Sequence, residues 1–217
     1  MATQGSPRRR RDPQRRIEEI AAATEKVIAE RGIEGLTHRA VAEEAGVPLG
    51  ATTYHFATKD DLIAAALRRS VERYAAYLDD WVAQRPDLTP EQLTVLLTDV
   101  LMSCFGPQRD AQVVEFELYL AALRRPALRP IADQYIELSV TALLPYVDPL
   151  TARAAAVATN GLTLHGLAGS TPPSRAEVEA ILRRVLAPNP DLPATASPAP
   201  AAPTASAHAA AAVGQDS

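Results

Sequence analysis

A glycine, Gly46, separates two short runs of helix-forming composition, and this junction limits what the chain can fold into more than any other feature. Before it, Thr37 is placed to cap a helix with its hydroxyl, and Arg39, Ala40, Ala42, Glu43, Glu44 and Ala45 follow as good helix formers. Glycine enters the left-handed backbone region at little steric cost, so Gly46 supplies a sharp stop. After it, Val47 is placed to plug the crevice between the helices. Leu49 to Phe56 reads as a second helix anchored by Phe56, and Thr58 caps a third, with Asp60 and Asp61 favourably placed on its dipole. A helix, a glycine turn and a short second helix are the parts needed to lay one helix in a DNA major groove.

The charge distribution narrows this reading. The 217 residues carry a net charge of −4, which argues against a protein that coats nucleic acid generally. Residues 1–70 hold 12 Lys/Arg against 10 Asp/Glu, whereas residues 71–217 hold 10 against 16. Only the front is expected to meet phosphate. The single cysteine, Cys104, excludes an internal disulfide and a cysteine-based zinc site, and its apolar surroundings suggest a buried, inert thiol. Arg8–Arg11 resembles the start of an export signal, but Asp12, Gln14, Arg15, Arg16, Glu18 and Glu19 follow in place of an apolar stretch. No run is long and apolar enough to span a membrane. The expected location is the cytoplasm.

Strand signals are absent, so the expected fold is all-α. Residues 1–12 read as a disordered basic arm. The first helix is expected from Pro13 to Arg31, with Ile17, Ile20, Thr24, Val27 and Ile28 inward and Gly32 as the stop. Residues 13–57 form the helix-turn-helix unit. Residues 58–186 form a second unit of about six helices, beginning with a long one from Thr58 to about Gln84. Thr89-Pro90-Glu91 starts the next helix, which ends near Gly106. The following one, about 107–125, is apolar on more than one side (Val113, Val114, Phe116, Leu118, Leu120), as central helices are. Another runs from about 126 to 146. The last pair is about 150–169, rich in small residues that permit close helix pairing between subunits, and 174–186, opened by Ser174 with Glu177 three residues on. Residues 187–217 are rich in Pro and Ala with almost no charge, and read as a disordered tail.

The first helix together with Leu36-Thr37-x-Arg39-x-Val41-Ala42-x-x-Ala45-Gly46-Val47 and Tyr54-His55-Phe56-x-Thr58-Lys59-x-x-Leu62 resembles the DNA-binding domain of TetR-family transcriptional regulators. The likeness covers about Arg16 to Leu67. It implies a homodimer on a near-palindromic double-stranded operator, usually a repressor, released when a small-molecule effector enters the second domain. At the matching positions, Thr37, His38 and Arg39 open the first motif helix toward phosphate or a base edge. Arg39 has an alternative in an ion pair with Glu43. Leu49, Gly50, Ala51, Thr53, Tyr54 and His55 face the groove, and Lys59 binds phosphate. Thr53 departs from the family's usual tyrosine, the aromatic appearing instead at Tyr54. Thr52 replaces a usual leucine, which predicts a thinner local core. The arginines before the first helix either reach DNA as a flexible arm or merely solubilise the chain.

The effector side is less legible. Tyr74, Trp81, Phe105, Phe116, Glu117, Tyr135 and His165 are the candidate ligand residues, within a wider set that adds Glu115, Tyr119 and Asn160. Glu117 draws most interest. An acid among apolar neighbours favours a cationic ligand or needs a partner, for which Arg124 and Arg125 are candidates. No phosphate-loop motif, dinucleotide fingerprint or metal-ligand spacing occurs, and the four histidines lie far apart. No catalysis, metal or cofactor is expected. The alternative is a DNA-binding adaptor whose second unit docks a protein and has a solid core.

Overall fold

Proline at the first turn and glycine past the last frame α1, Pro13–Arg31, in the computed structural model, which describes residues 13–187. The expected basic arm and the Pro/Ala-rich tail beyond Ala187 lie outside the described residues. The helices that come after α1 are α2 (His38–Ala45), α3 (Leu49–His55), α4 (Lys59–Ala83), α5 (Pro90–Cys104), α6 (Arg109–Ala121), α7 (Arg129–Leu143), α8 (Pro149–Ala168) and α9 (Arg175–Val185). The described residues contain no strand, and the fold is all-α as expected.

The motif turn forms as its sequence dictates. Thr37 Oγ1 accepts the Ala40 N–H at 3.1 Å. Gly46 has φ +62°, its N–H bonds to Glu43 O at 3.2 Å, and the Val47 N–H reaches Ala42 O at 3.0 Å. Two such bonds around a left-handed residue satisfy carbonyls that the helix end would leave bare. A Cβ on Gly46 would meet nothing within 4 Å, so only the backbone demands glycine there. Gly46→Val is therefore expected to lose about 1–2 kcal/mol or more in urea unfolding and to lose DNA binding, while Gly46→Asn keeps most of both.

Later boundaries differ from expectation where proline and turn geometry intervene. The helix expected over 107–125 is only α6, because both its flanks close as tight turns. The one expected from 126 splits into a 3-10 turn, Pro126–Leu128, and then α7, with Pro130 in the first turn where a missing N–H costs nothing. Thr89 forms a reciprocal capping box with Gln92, and Thr58 forms one with Asp61.

One apolar core joins the helix-turn-helix unit to α6 and α7. Ile20, Val27, Ile28, Val41, Phe56, Leu62 and Leu67 cluster with Val114 and Leu118 of α6 and Ile131 of α7. A second core gathers Trp81, Leu93, Val140, Leu143 and Ala152, Ala155 and Ala156 of α8. A third holds Leu101 against Val178 and Leu182. α6 has Val114, Phe116 and Leu118 buried, but Leu120 is exposed. The small residues of α8 serve both faces: Ala155, Ala156 and Gly166 are buried, whereas Ala154 and Gly161 face out.

Candidate DNA interface and ligand cavity

The short α3 separates into an inner and an outer side. Thr52 is fully buried, and its hydroxyl donates to Leu49 O at 2.8 Å. This hydrogen bond lets a threonine stand in the core at a position where an apolar residue would be usual, so the polar group carries no desolvation penalty. Leu49, Gly50, Thr53 and Tyr54 face outward, and Ala51 and His55 are half-buried. Tyr54 is 84% exposed, its ring held edge-on against His55 at 5.0 Å. A Cβ on Gly50 would meet nothing, so the surface there is open to a close-approaching backbone.

Around α3 the cations are few. Arg39 Nε pairs with Glu43 Oε1 at 3.1 Å, and both side chains are well exposed. Such a pair is worth only about 0.3–0.5 kcal/mol, so phosphate or a guanine edge can displace the glutamate. Lys59 Nζ lies 3.5 Å from Glu34 O, at the start of α4. His38 differs from its expected role: its Nε2 is 2.9 Å from Phe56 O, so the ring ties α2 to the end of α3 and is not free for phosphate through that nitrogen.

In the second unit, a cavity of about 380 Å³ lies between α4, α5, α6, α7 and α8. Tyr74, Trp81, Phe116 and Tyr135, all expected, line it, as do Arg73, Tyr77, Gln112, Glu115 and Asn160. Tyr74 and Tyr135 stack at 4.4 Å and 7°, and Tyr77 extends the stack at 6.5 Å from Tyr74. Glu115 Oε2 accepts the Tyr135 hydroxyl at 2.7 Å and a Gln112 amide N–H at 2.9 Å. Burial pushes the Glu115 carboxyl above its ordinary value, against the lowering pull of Tyr135, Arg73 and Gln112. Burial likewise pushes the Tyr74 phenol up to about 12, and its oxygen sits 2.8 Å from Ser139 Oγ. The Cys104 thiol is pushed up to about 11, again chiefly by burial, which makes it a poor nucleophile. A half-buried carboxylate beside stacked aromatic rings suits a flat or globular organic cation, which gains both the ion pair and the ring quadrupoles.

Three of the seven candidate ligand residues are absent from this lining, as is Tyr119 of the wider set. Phe105 instead covers Gly166, where any Cβ would lie 2.3 Å from its ring. His165 is exposed on α8. Glu117 turns to the other unit, accepting the Ile33 N–H at 3.1 Å in the α1–α2 loop. That backbone donor satisfies the acid, so neither Arg124 nor Arg125 is needed, and Arg125 binds Asp60 at 2.7 Å. The sequence signals both acids without choosing between them: Val114, Leu118 and Ala121 mark the most buried line of α6, and Glu115 and Glu117 flank it on opposite sides. Arg73 gave no such signal, because it lies on the polar side of α4. Among the described residues, no group of His, Cys, Asp or Glu is placed to hold a metal, and no helix is long and apolar enough to cross a membrane.

The exposed α3, held by α2, and the cavity of the second helical unit define a helix-turn-helix transcription regulator. Comparison with known proteins agrees. Residues 20–66 match the bacterial regulatory proteins of the tetR family, and residues 88–188 match the tetracyclin repressor-like C-terminal domain. The crystal structure of multidrug binding protein EbrR complexed with ethidium is 42% identical, with a TM-score of 0.70, over 78% of this chain and 98% of its own. The same protein is known complexed with imidazole, proflavin and malachite green. A TetR-family member from Streptomyces coelicolor A3 is 43% identical, with a TM-score of 0.66, over 78% of this chain and 97% of its own. HTH-type transcriptional regulator PksA of Bacillus subtilis (strain 168) is 34% identical over 110 residues, so the match spans about half of that curated relative (51%). The chain belongs to the TetR family of DNA-binding transcriptional regulators.

Proposed function

We propose that this protein is a homodimeric, non-enzymatic cytoplasmic repressor that binds a near-palindromic operator and leaves it when a lipophilic organic cation enters the cavity. Residues 13–57 read the operator, and residues 58–186 hold the effector and the partner subunit. The observation that carries the ligand class is Glu115, a half-buried carboxylate bonded to Tyr135 of the Tyr74–Tyr135 stack. Ethidium, proflavin and malachite green, bound by the similar EbrR, are cations of this kind. The cavity also speaks against the adaptor alternative, which expects a solid core.

The dimer rests on α8. Leu150, Ala154, Val157, Gly161, Leu164 and Ala168 recur at spacings of four and three along its outer side. The three large members are exposed by 62%, 56% and 37% in the single chain. An apolar stripe of this period is a helix-pairing seam.

The DNA surface makes two separable predictions, read by anisotropy on the selected operator and on random duplex. Lys59→Ala should weaken both and lower the salt slope by roughly one unit. Arg39→Ala should relax preference at one base pair, costing about 1–3 kcal/mol. Equal losses on both duplexes would show that Arg39 reads no base. The overall reading is tested by footprinting the DNA that flanks its own gene, where a protected inverted repeat is expected. A purified dimer that protects no fragment at any salt would overturn it.

A further inference from the structure

We infer that Arg73 carries the charge state of the cavity to the DNA-reading unit through its ion pair with Glu25 of α1. This rests on the proposed cation-binding function and adds the route by which the ligand acts.

Arg73 lines the cavity, and its Nη1 also sits 2.7 and 2.8 Å from the two oxygens of Glu25. Glu25 is largely buried, with its side chain 15% exposed, and takes a further hydrogen bond from Arg69 Nε at 3.3 Å. Arg69 in turn pairs with Glu18 of α1. Glu18 and Glu25 thus face the guanidiniums of Arg69 and Arg73, and Glu115 acts on Arg73 through the cavity without a direct ion pair; with all three acids ionised the group is one positive charge short. A monovalent cation beside Glu115 supplies that charge. It neutralises the acid that draws Arg73 toward the cavity and repels the guanidinium directly. The Arg73–Glu25 pair must then readjust, and Glu25 belongs to the helix on which α2 packs.

Other polar ties across this boundary do not reach the ligand. Glu117 holds the Ile33 N–H, and Arg69 holds Glu18 and Glu25. Neither Glu117 nor Arg69 lines the cavity. Of these ties, only the Arg73–Glu25 pair has a member in both places. A ligand shifts an equilibrium only through a group whose energy differs between the two states, and this pair is such a group.

The test compares operator affinity with and without saturating tetraphenylphosphonium, a permanent, non-planar cation that does not intercalate in the duplex. Their ratio is the coupling factor, typically about 5–150 for allosteric proteins. Glu25→Gln keeps the side-chain shape and removes its charge. It should bind tetraphenylphosphonium and ligand-free operator as wild type does, while the coupling factor falls by about fivefold or more, toward unity. Glu117→Gln, which weakens a tie outside the cavity, should keep the wild-type factor. Should E25Q fail to fold, Arg73→Lys tests the same pair: the charge stays, the shorter side chain ends before the Nη1 position that holds Glu25, and the factor should drop by about threefold or more. Wild-type coupling in the folded variant overturns the relay alone. A wild-type protein that binds tetraphenylphosphonium without losing operator, or does not bind it, overturns the proposed function and the relay with it.

Discussion

Glu115→Gln is expected to bind tetraphenylphosphonium at least about thirtyfold more weakly than wild type, a loss of about 2 kcal/mol or more, and to melt no lower. The glutamine keeps the volume and can still accept the Tyr135 hydroxyl, so the cavity wall should stand. What disappears is the half-buried negative charge. The stacked tyrosines remain and give about 0.5–2 kcal/mol of cation attraction, so binding weakens without vanishing. Triphenylphosphine oxide, similar in shape but uncharged, should bind both proteins alike. Calorimetric titration of both compounds separates the charge effect from shape.

The stability half of this prediction comes from the direction of the Glu115 shift. Its folded value lies above the ordinary one because burial penalises the carboxylate. The unfolded chain therefore releases this proton more readily, and the ionised group costs stability above its folded value. That cost shrinks as pH falls and is gone below the ordinary carboxylate range. Glu115→Gln should match or exceed the wild-type melting temperature at pH 7.5 and lose any advantage near pH 4. Cation affinity of the wild type should fall over the same descent, as the carboxylate takes up its proton. A variant that melts lower at pH 7.5, with unchanged cation affinity, would make Glu115 a structural acid.

Val157→Glu is expected to turn the dimer into a monomer and to cost about 100-fold or more in operator affinity. Val157 is 56% exposed in the single chain and sits midway along the α8 stripe, so the glutamate leaves the monomer's own core untouched. In the dimer it would be buried opposite the partner's stripe, and an unpaired buried carboxylate costs several kcal/mol. Each half then binds its half-site alone and loses the gain from linkage, typically about 10²–10⁴. Sedimentation and anisotropy on one preparation check both effects. A variant that stays dimeric would move the interface away from α8.

How far the sequence is legible depends on how local the physics is. Gly46, Gly32, Thr37, Thr58 and Thr89 act within a turn of themselves, and the helices they delimit stand where their signals place them. α6 and α7 are shorter than their composition suggests because residues 105–108 and 122–128 close by backbone turns that no single residue announces. On the candidate site, the groove-facing set of α3 is implied by the family resemblance, and Leu49, Gly50, Thr53 and Tyr54 of it face outward, whereas His38 is claimed by a carbonyl eighteen residues away. The cavity is half legible. Tyr74, Trp81, Phe116 and Tyr135 declare themselves as inward aromatics, but the choice between Glu117 and Glu115 depends on which neighbour each acid meets. Helical spacing gives a direction around one axis and not what stands there. Arg73 escapes a sequence reading for the same reason: its two partners, Glu25 and the cavity, come together only in the fold.

The most direct test of ligand-driven release holds labelled operator with enough wild-type protein to bind it fully, then titrates tetraphenylphosphonium while following anisotropy. Anisotropy is predicted to fall to that of free duplex as the cavity fills, and triphenylphosphine oxide at equal concentration should leave the complex intact. An operator complex that persists when calorimetry shows the cation bound at saturation would contradict release by a cavity-bound cation.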